Sequence, residues 1–258
     1  MANAQLCLSP TSIDRYRVCP KRFYFQDVAG RKFDDVKSYE QLLGEAVHKA
    51  LEQLLRLPAA ARKESVSRVV DQAALRFAAA NRLSTDAHER LRDTALQLGE
   101  PYVSQLGTKT NTLRTEQAFQ LRLSNGTVIK TRVDRIDAND RGLLEVVDYK
   151  TGRHQIDERD LAYETAPIVQ LHAVGKASEI PVEEVTWVYL QSGESISWCP
   201  EAEDVEAATD RLIRVLRNMH AERSYEPNPG RHCSSCPFKT ICPAFGDVGA
   251  NEAFAERA

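Results

Sequence analysis

The sequence predicts an α/β fold, a central sheet flanked by helices, and three observations carry that expectation. Residues 9–110 show helical apolar periodicity. Residues 113–136 alternate apolar and polar side chains on either side of Asn125-Gly126, the strongest short hairpin signal. Leu143–Lys150 then reads as a short buried strand, supplied by Leu and Val and stopped by Thr151-Gly152.

The bulk properties set outer limits. The chain has 258 residues, of which 42% are hydrophobic and 28% charged, as in ordinary globular proteins. No apolar run approaches the length of a membrane span, and no basic stretch followed by an apolar one opens the chain. A cytoplasmic location without membrane attachment is therefore expected. Its six cysteines then read as free thiols or metal ligands rather than disulfides. A net charge of −3 excludes a protein that is basic all over but leaves room for a local basic groove. No G-x-x-x-x-G-K-[ST] loop is present, so any ATP-driven step belongs to a partner.

In chain order, residues 1–8 read as a loose start. Ser9-Pro10-Thr11-Ser12 is a helix-start signal, and Pro20 should divide the following segment into two short helices. That segment interleaves Arg15, Arg17, Lys21 and Arg22 with Tyr16, Phe23 and Tyr24. Such a mixture suits a single nucleic-acid strand, charges following phosphates and rings stacking on bases. It equally suits a helix with an aromatic face in the core. Ser38 can cap a helix to about Arg56, with Leu42, Leu43, Ala46, Val47, Ala50, Leu51, Leu54 and Leu55 as its buried stripe; Gly44 and His48 lie one turn apart at its edge. Residues 58–80 and 84–107 read as two further helices, Ser84 capping the second, with no evident chemistry. Glu116 lies at the start of the first strand. After the strands come a helix at about Pro167–Lys176, a second hairpin turning at Ser192-Gly193-Glu194, and an amphipathic helix at Ala202–Glu222.

The chemistry concentrates on the strand ending in Asp148-Tyr149-Lys150. Side chains two apart share a face, so Asp148 and Lys150 sit side by side. If the strand carrying Asp134 is an antiparallel neighbour, Asp134 can face Asp148. Asp137 and Glu145 sit at odd offsets from these and point to the other side. An acid followed by acid-x-lysine is the layout of a metal-dependent phosphodiesterase of the PD-(D/E)xK type. Near the C-terminus, Cys233, Cys236 and Cys242 make a compact soft-metal site, and a fourth thiolate must come from Cys7, Cys19 or Cys199. Cys19, in the basic aromatic segment and followed by proline like Cys236 and Cys242, is the choice. Zinc is an alternative occupant.

Together these motifs resemble the RecB/AddB-type exonucleases, including the CRISPR-associated RecB-like nucleases. The carriers, in order, are the Leu8–Phe23 segment with Cys19, Gly44-x-x-x-His48, Val133-Asp134-Arg135-Ile136-Asp137, Val147-Asp148-Tyr149-Lys150-Thr151-Gly152, Gln170-Leu171, and the cysteine trio. The resemblance covers Leu8 to about Pro243. It implies a restriction-endonuclease-like central mixed sheet flanked by helices, in a single domain over 1–258. Residues 9–110 would form its helical N-terminal part, 111–200 the nuclease core, 201–245 a helix with the cysteine cluster, and 246–258 a tail. It implies that His48, Asp134, Asp148 and the Tyr149 carbonyl bind Mg²⁺ or Mn²⁺, that Lys150 orients or polarises the attacking water, and that Gln170 joins the catalytic set. It implies a [4Fe–4S] cluster on Cys19, Cys233, Cys236 and Cys242, acting as a structural clasp. Arg17, Lys21, Arg22 and Tyr24 are the expected nucleic-acid contacts. The expected activity is metal-dependent exonucleolytic hydrolysis of single-stranded DNA or DNA ends, in repair or CRISPR adaptation, beside a helicase or integration partner. The alternative is a DNA-binding adaptor that keeps the fold without the catalysis. Two positions depart from the family pattern: Thr131 stands where a Gly is usual, and Val174 where a Tyr is.

Overall fold

The computed structural model describes residues 7–31, 37–106 and 110–245; the expected loose start at 1–6 and the tail at 246–258 lie outside them. Among these residues the strands are β1 (Cys7–Leu8), β2 (Thr112–Arg122), β3 (Val128–Ala138), β4 (Leu144–Lys150), β5 (Val182–Tyr189) and β6 (Glu194–Trp198). The α-helices are α1 (Pro10–Val18), α2 (Pro20–Phe23), α3 (Tyr39–Leu55), α4 (Ala59–Ala80), α5 (Thr85–Leu106), α6 (Thr165–Ser178) and α7 (Ala202–Ala221). No helix among them is long and apolar enough to cross a membrane.

The strands form one mixed sheet in the order β1-β3-β4-β5-β6, with β2 paired to β3 as well. β2–β3, β3–β4 and β5–β6 are antiparallel, whereas β1–β3 and β4–β5 are parallel. The return from β4 to the parallel β5 needs a crossover, and α6 supplies it. β3 gives one edge to β2 along nearly its whole length. Its other edge is shared, by β1 at Val128–Ile129 and by β4 at Arg135–Ala138. β1 and β4 therefore part along the middle of β3, and the site sits at that parting. The expected loose start is thus partly a strand: Cys7 and Leu8 pair with β3, and Leu8 is buried.

Local signals explain most boundaries. Ser9 caps α1 in a capping box with Ser12, and Pro20 divides the segment so that Cys19 ends α1 and begins α2. Ser38 and Gln41 form the same box at α3. The Asn125-Gly126 hairpin is a three-residue loop rather than the two-residue turn the dipeptide favours. The Gly126 N–H donates to the Leu123 carbonyl at 3.0 Å, and Gly126 alone is left-handed, at φ 87°. Asn125 instead accepts the Thr127 N–H through its side chain at 3.0 Å.

Two apolar cores flank the sheet. Ile136, Leu144, Val146 and Trp187 pack with α6 and α7, while Val147, Tyr149 and Val188 pack against α3, α4 and α5. All eight stripe residues of α3 are buried in the second core, where they fix the helix that carries His48. Leu91 of α5 is fully buried there, far along the chain from every candidate site residue. Leu91→Ala is expected to destabilise the chain by about 2–5 kcal/mol, seen as a lower urea midpoint, without changing divalent-cation affinity.

The C-terminal segment after α7 folds back onto α1 and α2. Tyr24 packs against Tyr225 with ring centroids 5.0 Å apart, and Phe25 against Phe238 at 5.4 Å. Asn228 donates to the Val18 carbonyl at 3.0 Å. Glu222 accepts the backbone N–H of Tyr225, and those of Ser224 and Arg223, which holds its carboxyl down at about 2.

Candidate active site

Strand register aligns the acids. β2 and β3 pair Thr115 with Arg135 and Gln117 with Val133, so Glu116 lies opposite Asp134. β3 and β4 pair Arg135 with Val147, and one further step sets Asp134 opposite Asp148. That step is where the backbone ladder stops. The Tyr149 N–H donates to Asp134 Oδ2 at 2.7 Å, so the carboxylate replaces the next rung. On the open stretch of β3, Gln170 Nε2 donates to the Arg132 carbonyl at 3.2 Å. Side chains thus bond backbone groups freed by the diverging strands, which is how buried carboxylates are held here.

α3 brings His48 to this row. Its Nδ1 lies 3.0 Å from Asp134 Oδ1 and 3.7 Å from Glu116 Oε1. Gly44, one turn earlier, permits the approach: a Cβ there would lie 3.3 Å from Thr151 Oγ1 at the end of β4. The ligand atoms of His48, Glu116 and Asp134 all lie within 4.8 Å of one another and face an open cleft of about 1070 Å³. One nitrogen and two carboxylates suit a divalent cation.

Glu116 is the residue that sequence reasoning passed over as a ligand. Its φ of 50° is left-handed, rare for a residue with a side chain in a strand and a mark of local strain. The sequence carried no signal for it: the two-residue turn that Asn125-Gly126 favours would set Gln117 opposite Asp134, and only the three-residue loop sets Glu116 there.

Asp148 stands apart from this trio, with its carboxylate turned to α6. It accepts from Gln170 Nε2 at 3.1 and 3.2 Å, and Lys150 Nζ lies 3.3 Å from its Oδ2. Lys150 also lies 3.9 Å from the Trp187 ring centroid, a cation–π contact that fixes the ammonium. Tyr149 contributes its buried ring to the helical side, hydrogen-bonded to Tyr102 at 3.3 Å. Asp137 lies away from the row, paired with Arg135 at 3.1 Å. Thr131 and Val174, the departures from the family pattern, are buried.

Burial alone would lower the His48 pKa. Hydrogen bonds to Asp134 and Glu116, with their charges, outweigh it and hold His48 up to about 10. Burial raises Asp134, partly offset by His48. His48 is therefore protonated at neutral pH without a cation, and a ligand nitrogen must be neutral. Cation binding near pH 7.5 is expected to release about one proton, and affinity to rise about tenfold per pH unit below the His48 pKa. Calorimetry in buffers of different ionisation enthalpy measures this; binding with no proton release removes His48 from the ligand set.

Four of the cysteines share one cavity. Cys19, Cys233, Cys236 and Cys242 line it, walled by Phe25 and Phe238, while Cys7 and Cys199 are exposed and do not line it. Among the described residues these thiols are not a set converging to within 4.8 Å, as the His48 trio is. Of the expected nucleic-acid contacts, Arg22 and Lys21 line this cavity, Lys21 donates to the Ser224 carbonyl at 3.3 Å, and Tyr24 packs on Tyr225. These three help dock the C-terminal segment. Arg17 points elsewhere, donating to Asp14 at 3.1 Å.

A mixed sheet whose central strands part over a row of acids, with a lysine two residues beyond the last, defines a class of phosphodiester-cleaving folds. The chain belongs to the PD-(D/E)XK nuclease superfamily, whose family model matches residues 7–243. Nucleases of this superfamily use divalent metal ions. The chain resembles the crystal structure described as "Putative exonuclease" from Eubacterium rectale, with a TM-score of 0.51 and 14% identity over 90% of this chain and 87% of that one; this likeness is one of fold. Another similar structure, SSO0001, gives a TM-score of 0.37 and 20% identity over 88% of this chain and 96% of that one. No curated protein matches the chain.

Proposed function

We propose that this chain is a divalent-cation-dependent deoxyribonuclease of the RecB/AddB type, acting on single strands or ends. The carrying observation is the convergence of His48, Glu116 and Asp134 within 4.8 Å, beside the Asp148–Lys150 pair. His48, Glu116 and Asp134, with Asp148 across the strand from Asp134, would hold Mg²⁺ or Mn²⁺, which would supply a Lewis acid for the phosphate and lower the pKa of water. Lys150 presents its ammonium where negative charge develops on the phosphate, held by Asp148 and the Trp187 ring. Gln170 fixes the Asp148 carboxylate. Asp134 and Glu116 hold the His48 ring, and the Tyr149 backbone holds Asp134. The Tyr149 carbonyl, next to this bond, remains our candidate for a further oxygen ligand.

The reading extends to the cysteines. Four thiols lining one cavity suit a [4Fe–4S] cluster that would clasp the C-terminal segment to α1 and α2. A DNA helicase or CRISPR integration complex would supply the strands. The test is cleavage of end-labelled single-stranded DNA with Mn²⁺ by the native chain, Asp148→Ala and Lys150→Ala. Shortening from one end by the native chain alone supports the reading. A folded native chain that cleaves nothing overturns it and leaves the adaptor reading.

A further inference from the structure

The proposed nuclease activity requires a path for the substrate strand, and a second cavity offers one. It opens between α1, the turn at Glu158–Tyr163, α6 and α7. Its charged lining is Arg17, Arg211 and Arg214 against Glu164. Arg17 donates to Asp14 at 3.1 Å and to Thr165 Oγ1 at 3.4 Å, so part of its charge is balanced. Arg211 donates to the Ala162 carbonyl at 2.9 Å, and its guanidinium lies 4.6 Å from the Tyr163 ring centroid. Neither Arg211 nor Arg214 has an ion pair among the described residues. Tyr163 is 59% exposed, an aromatic ring backed by a cation and otherwise open to solvent.

The cavity adjoins the catalytic row. α6 begins in it, at Thr165, and carries Gln170, the partner of Asp148, five residues further on. That is about 7.5 Å along a helix. Glu164 lies within electrostatic range of Lys150. The cavity and Gln170, the partner of the acid–lysine pair, thus share one helix.

We propose that this cavity is a nucleotide subsite for single-stranded DNA, in which a base stacks on the open surface of Tyr163 while Arg211 and Arg214 hold the adjoining phosphate. Stacking tolerates any base, so the subsite grips a strand without reading its sequence. Glu164 in the lining, and Asp14 paired with Arg17, keep the cavity from being a simple anion hole and favour a ligand that offers a ring as well as a phosphate.

The test is binding of fluorescein-labelled oligothymidylate to the full chain in Ca²⁺, read by anisotropy. Tyr163→Ala should weaken binding roughly 5- to 100-fold, and Tyr163→Phe should retain it. Arg214→Ala should reduce the slope of log K against log salt by about 0.7. Hydrolysis of bis(p-nitrophenyl) phosphate, too small to span both places, should be unchanged in all three variants. Native-like binding by Tyr163→Ala, or no oligonucleotide binding by the native chain, overturns the subsite. Binding that responds as expected in a chain that hydrolyses neither substrate supports the subsite and overturns the nuclease reading, so the two fail separately.

Discussion

Lys150→Ala is expected to reduce cleavage of single-stranded DNA by about 10²–10³-fold at saturating Mn²⁺ while leaving Mn²⁺ affinity near native. Lys150 is outside the His48–Glu116–Asp134 trio, and its contacts are the Asp148 carboxylate and the Trp187 ring. Its removal takes away positive charge without removing a proposed ligand. Asp134→Asn is expected to act differently. The amide is nearly isosteric and retains an oxygen for the Tyr149 N–H, but it removes the charge that holds His48 protonated and that would hold the cation. Cleavage and cation affinity should fall together in this variant. Equal loss of Mn²⁺ affinity in both variants would remove the separate role assigned to Lys150.

The second large effect is expected at the cysteines. Chain isolated without oxygen should be brown, and Cys242→Ser should be pale and less stable. A cluster on these thiols would join Cys19 to residues more than two hundred positions later. As a cross-link, such closure is worth roughly 5 kcal/mol. At about 2–4 °C per kcal/mol for a chain of this size, Tm should fall on the order of 10 °C. Because Tyr24, Phe25, Tyr225 and Phe238 also join the two segments, the variant should stay folded at room temperature. A colourless native chain carrying zinc would replace the cluster with the alternative that the cysteine spacing also allows.

Much of this was legible in the residues because it depends on local rules. Ser9 and Ser38 announce helix starts through capping, and Pro20 divides α1 from α2. The eight apolar residues of α3 fall on one face because a helix repeats every 3.6 residues, and all eight are buried. Asp137 and Glu145 fall on the opposite side from Asp148 by strand alternation, and the structure pairs Asp137 with Arg135 instead. Less visible were features that depend on distant chain. Cys7 and Leu8 are too short a run to carry a strand pattern, and only the free edge of β3 makes them one. Arg22 and Tyr24 read as nucleic-acid contacts by composition, yet the returning C-terminal segment occupies them.

By itself the sequence determined the α/β order of elements, the acid-x-lysine strand end at Asp148 and Lys150, the glycine that precedes His48, and the spacing of the C-terminal cysteine trio. Each is written in residues close together, or in motifs whose spacing a helix or strand imposes. Only the tertiary structure decided that Glu116 joins His48 and Asp134, that Asp148 turns to Gln170, and that Cys19 lines one cavity with the C-terminal trio. Those outcomes follow from where β4 parts from β3 and where α3, α6 and the C-terminal segment dock. Docking is set by burial summed over two cores, which local spacing does not encode.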